Sequence, residues 1–222
     1  MKKIYIRNLG ITDWNQTFSA MHRFTELRSE KTIDELWFTE HYSIFTKGLS
    51  ENNKNIIKKC FNIPVVKSDR GGKITYHGPG QQLVYILINL KLSKIKIQNF
   101  IFFIEKIVIQ TLNFFSIFAY NVPKSPGVYI NKKKFCSIGL RIKKNCSLHG
   151  IAFNINTNLK YYKYIYPCGN KFVKMINLNE INSEITMDIF REKFIDFFLK
   201  IFKYKAAVYK SSYNIFDEIG IY

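Results

Sequence analysis

Acidic residues are scarce in this chain. Sixteen Asp and Glu stand against 34 Lys and Arg, giving a formal net charge of +18. Such a balance has a functional reading, an acidic partner, and a compositional one. Lys, Asn, Ile, Phe and Tyr are abundant and Ala is scarce, the pattern that AT-rich codons produce. No basic cluster accompanies a nucleic-acid-binding motif, which argues against a nucleic-acid partner. Cysteines are few as well, at 60, 136, 146 and 168, and none forms a C-x-x-C pair. That spacing argues against a structural zinc site, and a chain of this size needs no disulfide framework. Long apolar runs are missing. Glu105 and Lys106 interrupt the 97–118 region, and Asp196 and Lys200 interrupt the C-terminal one, so neither reaches the ~20 residues of a membrane span. The basic N-terminus, Met1 to Asn8, lacks the apolar core of a signal peptide. These absences predict a cytoplasmic protein with no membrane association.

What is present is a 222-residue chain, 47% hydrophobic and 16% aromatic, rich enough in apolar side chains to fold as one domain over its whole length. Periodicity predicts a helix over 13–30 with Phe18, Met21, Phe24 and Leu27 on one face. A strand follows over 36–41, a short helix over 55–60, and a strand from Val65. Gln82 to Leu90 is apolar throughout, as expected of a buried strand. Residues 97–118 read as a long helix with Phe100, Phe103, Ile104, Ile107 and Phe114 turned inward. Strands are expected over 127–130, 135–142 and 148–155, joined by hairpin turns at Asn131-Lys132-Lys133 and Lys143-Lys144-Asn145. Residues 157–180 read as loop, and Thr186 suits the N-cap of a last helix over 187–202. The pattern predicts an α+β (mixed α/β) fold with several hairpins.

The densest chemistry lies in Asp69-Arg70-Gly71-Gly72-Lys73-Ile74-Thr75-Tyr76-His77-Gly78-Pro79-Gly80-Gln81-Gln82. Glycines let a backbone approach a bound group closely, and the residues between them supply charge, aromatic area and donors. This is a pocket wall and points to an enzyme. Ser137-Ile138-Gly139 and Gly150-Ile151-Ala152 place glycines inside strands, a second sign of close approach. Cys168 stands between Pro167 and Gly169, displayed on a tight loop as a nucleophile would be. Cys136 lies within an apolar strand and reads as core. A free thiol is only about 3% thiolate at pH 7, so Cys168 needs a helper. His77, His149 and Lys134 are the candidates, Lys134 because burial lowers a lysine's pKa and makes it usable as a base. Spacing alone does not choose among them.

Together these segments resemble the octanoyl-[acyl-carrier-protein]:protein octanoyltransferase family, also called lipoate–protein ligase B. The matching stretches are Glu40-His41, Phe45-Thr46-Lys47-Gly48, Ser68 to Gln82, Gly127-Val128-Tyr129, Lys134 to Arg141, His149 to Asn156 and Pro167-Cys168-Gly169. They fall in the family's order over about residues 30–180. The resemblance implies a mixed, mostly antiparallel sheet flanked by helices, the catalytic fold of biotin and lipoate protein ligases. It implies that Cys168 accepts an octanoyl group from the phosphopantetheine thioester of acyl carrier protein, and that Lys134 activates the thiol. The acyl group then passes to a lysine of a lipoyl domain or of glycine-cleavage H protein. No cofactor is implied beyond the donor's own phosphopantetheine. The family's substrate-contacting positions map to Arg70 through His77, Ser137 through Gly139 and Gly150 through Ala152, with an apolar tunnel near Tyr76 and the 137–152 strands. The +18 charge then has a use, since such partners are typically acidic.

Three other readings stand beside this one. An ATP-dependent lipoate or biotin ligase shares the implied fold but needs no cysteine nucleophile. A cysteine hydrolase would release free octanoate. A basic binding module would form no acyl-enzyme and would bind DNA or RNA in a salt-dependent way.

Overall fold

The computed structural model describes residues 2–52, 54–56, 62–93 and 95–210. Cys60 and most of the helix expected over 55–60 lie outside the described residues. Within them, Asn55 is in a turn and Ile56 forms a bridge to Ile165.

The chain opens with strand β1 (Lys3–Thr12), helix α1 (Trp14–Leu27) and strand β2 (Asp34–His41). Asp13 caps α1, its side chain accepting from Gln16 N–H at 3.0 Å. Short strands β3 (Ile44–Lys47), β4 (Val65–Lys67) and β5 (Ile74–His77) follow, then the buried β6 (Gln81–Leu87). Helix α2 (Ile97–Phe114) leads into β7 (Tyr120–Val122), β8 (Ser125–Ile130), β9 (Lys133–Lys143) and β10 (Cys146–Asn154). The connections from β8 to β10 are two-residue turns. Asn131, Lys132, Lys144 and Asn145 all take positive φ, the backbone that matches strand twist in tight hairpins. Three 3-10 turns occupy Leu159–Tyr164, Pro167–Gly169 and Leu178–Glu180. Thr186 then caps α3 (Met187–Phe202), and β11 (Ala206–Lys210) ends the described chain.

Eight strands form one sheet in the order β11-β1-β2-β6-β10-β9-β8-β7. β1 pairs in parallel with β11 and β2; the other neighbours are antiparallel. The sheet is therefore mixed and mostly antiparallel, as expected. Strand alternation divides its side chains between two cores. Leu36, Phe38, Val84 and Ile86 pack with Phe100, Ile104 and Ile107 of α2 and Phe190, Phe194 and Phe198 of α3. Trp37, Leu83, Tyr85 and Leu87 point the other way, onto Ala20, Met21 and Phe24 of α1. A second sheet, β4-β3-β5, encloses a third cluster around Phe45, Ile63, Tyr76 and Tyr162.

Two residues assigned to helix core faces are in fact exposed. Leu27 is 54% and Phe114 56% accessible; each stands in the last turn of its helix. Phe103 is only partly buried. Among the described residues, no helix is long and apolar enough to cross a membrane.

One buried ion pair ties β1 to β2. Arg7 Nε donates to Glu35 Oε2 at 2.8 Å, and Trp37 Nε1–H donates to the same oxygen at 2.6 Å. Arg7 and Glu35 are 1% and 3% exposed. Glu35→Ala removes the carboxylate that both the buried Arg7 guanidinium and the Trp37 indole N–H bond, so it should lower unfolding free energy by about 3–5 kcal/mol. Chemical denaturation checks this; a change under about 1 kcal/mol contradicts it.

Candidate active site

A cavity of about 480 Å³, within the usual size range for a small-molecule site, is walled by the large sheet, the glycine loop, Trp14 of α1 and Ile101 of α2. Trp14, Leu83, Tyr85, Ile138, Leu140, Ile142 and Ile151 give it apolar walls. The glycine loop Arg70–Lys73 lies over β9. Gly71 N–H donates to Leu140 O at 2.9 Å. A Cβ at Gly139 would stand 2.9 Å from Arg70 Cδ, and one at Gly150 would stand 1.9 Å from the Val84 carbonyl. The strand glycines therefore admit neighbours: a side chain at Gly139 and the next strand at Gly150.

Of the residues expected to contact substrate, Arg70, Gly71, Gly72, Lys73, Ile74, Thr75, His77, Ser137, Ile138, Gly139, Gly150, Ile151 and Ala152 line the cavity together with Lys134 and Cys168. Tyr76 does not. Its side chain faces the opposite way, packed against Phe45, Tyr161 and Tyr162, with its hydroxyl 3.0 Å from Ser43 Oγ. The reason is strand alternation: Thr75 and His77 turn to the cavity, so Tyr76 turns from it. Arg70 has a structural task as well. Its guanidinium donates to the carbonyls of Thr46, Gly71 and Lys73 at 2.7–3.0 Å, fixing the loop. Burial pulls it down to about 10, still cationic at neutral pH.

The cavity wall ends at a cysteine and a lysine. Cys168 sits in a tight turn with φ 56° and is exposed, while Lys134 is 1% exposed. Lys134 Nζ lies 3.0 Å from Cys168 Sγ and donates to Pro126 O at 2.9 Å. Residues 34 apart in sequence meet because the chain after Cys168 returns beside β9. Lys134 N–H donates to Lys174 O, and Ile176 N–H donates to Lys134 O. The register of β8 on β9 also skips Phe135, placing a bulge next to Lys134. Gly127 completes the slot. Its φ is 139°, and a Cβ there would stand 2.5 Å from Lys134 Cε. The Tyr129 ring centre lies 5.5 Å from Nζ, a favourable face for a cation.

Burial works against the Lys134 ammonium, but the charge and hydrogen bond of Cys168 outweigh it and hold the group above an ordinary lysine. The resting lysine is thus a cation, and the expected lowering by burial does not prevail. The other described cysteines are unlike Cys168. Burial pushes the thiols of Cys136 and Cys146 up, so both resist ionisation.

The two candidate histidines are engaged elsewhere. His77 Nδ1 donates to Gln81 Oε1 at 2.7 Å, and burial takes His77 down to about 3. His149, at φ 59°, bonds Asp69 Oδ1 at 2.7 Å, and His22 reaches the same oxygen at 3.3 Å. Burial alone would raise Asp69, yet these two rings hold it at about 2. The three ligand atoms lie within 4.8 Å of one another. Asp69 already hydrogen-bonds both rings and has Arg141 at 4.0 Å, which makes the group a brace between α1, β10 and the glycine loop.

His41, like His77, is buried and uncharged. Burial lowers it to about 4, and its Nε2 accepts from the Tyr85 hydroxyl at 2.7 Å. Below about pH 6.5 the unfolded chain takes up protons on both histidines, while the folded chain does so only near pH 4 and 3. Stability should therefore fall steadily from pH 6.5 to 4. Urea midpoints across that range measure it; a flat series contradicts it.

Glu105, Pro126 and Gly127 had no assigned role in the sequence reading, although Glu105 carried a signal. It lies three residues before Val108 and seven before Leu112, both fully buried, so helical spacing places its carboxylate on the core side.

Comparison with known proteins finds similarity in both sequence and fold. The model of the lipoyl protein ligase A/B catalytic domain matches residues 13–199. An octanoyltransferase of Buchnera aphidicola subsp. Acyrthosiphon pisum is 52% identical over 208 residues, covering 90% of this chain and 98% of the relative. Among solved structures, lipoate-protein ligase A bound with ATP superposes with a TM-score of 0.77 at 14% identity, over 97% of this chain and 91% of that one. Biotin protein ligase from Aquifex aeolicus bound with biotin and ATP gives 0.56 at 13% identity, over 90% and 70%. Those two likenesses show a shared fold, and the match in sequence goes further: this chain belongs to the lipoyl protein ligase A/B catalytic domain family.

Proposed function

We propose that the chain is an octanoyltransferase of protein lipoylation working through a Cys168 thioester. The observation that carries this is Lys134 Nζ at 3.0 Å from an exposed thiol on the wall of a largely apolar cavity. The donor is octanoyl-acyl carrier protein. Acceptors are lysines of lipoyl domains and of glycine-cleavage H protein. An excess of positive charge suits acidic partners. A thiol nucleophile must stay reduced, which suits the cytoplasm.

In the first half-reaction the Cys168 thiolate attacks the thioester carbonyl. The pantetheine sulfur leaves and takes a proton from the Lys134 ammonium, so Lys134 becomes an amine. Acylation removes the thiolate that held Lys134 high and leaves burial, which lowers it. The lysine is thereby switched from acid to base. In the second half-reaction the acceptor ε-amine attacks the acyl-enzyme and gives its proton to Lys134. The Cys168 thiolate leaves, and the ammonium–thiolate pair is restored. Thioester exchange is nearly isoenergetic and amide formation is downhill, so neither step calls for ATP or a resident cofactor. Burying the eight-carbon chain contributes about 0.8 kcal/mol per CH₂.

The test supplies octanoyl-acyl carrier protein and a lipoyl domain without ATP. Octanoylation of the domain supports the reading. Octanoylation that requires free octanoate and ATP assigns the chain to adenylate-forming ligases instead.

A further inference from the structure

Glu105 is a carboxylate on the core side of α2, 7% exposed. A buried carboxylate is costly unless both oxygens are engaged. Here Oε2 accepts from Asn121 Nδ2 at 2.8 Å, and Oε1 accepts from Gly127 N–H at 3.0 Å. The Gly127 N–H and the Pro126 C=O belong to one peptide unit, and in a trans peptide they point in opposite directions. That C=O takes the Lys134 proton at 2.9 Å. Carboxylate, peptide, ammonium and Cys168 sulfur thus form one hydrogen-bonded line. A carboxylate on the N–H polarises the peptide and strengthens its carbonyl as an acceptor. Gly127 has no side chain to fix the orientation of this peptide, and a Cβ there would collide with Lys134.

We propose that Glu105 is the positioning residue for Lys134. It holds the Pro126–Gly127 peptide so that Nζ stays on Cys168 Sγ, and its charge favours the ammonium across the peptide. The inference rests on Lys134 being the activator of Cys168. Other ionisable groups facing Nζ are Cys168 from its turn, Tyr129 from β8 and Cys136 on β9. The Tyr129 hydroxyl is paired with Ser125 Oγ at 2.6 Å, and the Cys136 thiol stays protonated. The group whose titration the experiment follows is therefore Lys134.

The experiment follows Cys168 acylation by octanoyl-pantetheine from pH 5 to 11, with thermal unfolding of each variant alongside. The basic limb reports loss of the Lys134 ammonium. Glu105→Gln should move that limb down by about one pH unit. Glu105→Asp keeps the charge but shortens the reach, so it should slow acylation several-fold with the limb near its original pH. Asn121→Ala keeps the Gly127 contact and should leave the limb in place. A folded Glu105→Gln with an unmoved limb, or Glu105→Asp acylating at the wild-type rate, overturns the proposal. Lys134→Met separates the two readings. If it acylates normally, the role of Lys134 itself fails, whatever Glu105 does.

Discussion

Cys168→Ala should reduce octanoyl transfer by about 10³-fold or more while the protein stays folded. Cys168 is exposed in a tight turn, and the hydrogen-bond partner the structure gives its sulfur is Lys134 Nζ. Little packing is lost with the thiol. Lys134 keeps the Pro126 carbonyl and the Tyr129 face and can shed its proton, since burial already favours the neutral amine. Neither Cys136 nor Cys146 can take over, because both are buried and hard to ionise. Single-turnover transfer, read with a thermal melt, measures this. Activity within tenfold of wild type contradicts it.

Lys134→Met should lower the rate by about 10²–10⁴-fold. Methionine nearly preserves the length and bulk of the buried stem, and the Cys168 partner is exposed to solvent, so no buried charge is left behind. The kinetic loss should fall on both half-reactions: the first loses its proton donor and the second its base. Iodoacetamide labelling of Cys168 isolates the thiol. Without the ammonium beside the sulfur, labelling at neutral pH should slow. Equal labelling of both proteins at pH 6–7 would remove Lys134 from thiol activation.

Much of this was legible in the sequence wherever local chemistry decides the outcome. Thr186 marked the start of α3 because a cap needs only its own side chain and the next turn. The hairpins around Lys132 and Lys144 were legible from turn residues between apolar runs. Cys168 stood out because Pro167 and Gly169 shape its turn directly. Failures arose where tertiary contacts decide. Tyr76 was assigned to the cavity because the glycine-rich stretch was read as a continuous wall; β5 within it alternates and turns Tyr76 into a separate core. Strands β1, β3, β5, β7 and β11 were not identified. β7 spans three residues and β11 five, and β11 shows no buried run. Leu27 and Phe114 continue their helices' apolar patterns into last turns that remain accessible. From spacing alone the helper of Cys168 stayed open among two histidines and Lys134, and the family resemblance pointed to the lysine. Its nearness depends on a bulge at Phe135 and a return of the chain at Lys174–Ile176. The anchor at Glu105 was hidden for the same reason, since its partner Gly127 lies on a different element.

Intact-protein mass spectrometry after mixing with octanoyl-acyl carrier protein, without ATP and without acceptor, tests the central claim most directly. The account predicts a gain of about 126 Da on the peptide containing Cys168, discharged when a lipoyl domain is added. An unmodified enzyme that nevertheless octanoylates the domain, or an adduct on another residue that discharges to it, would contradict the Cys168 thioester.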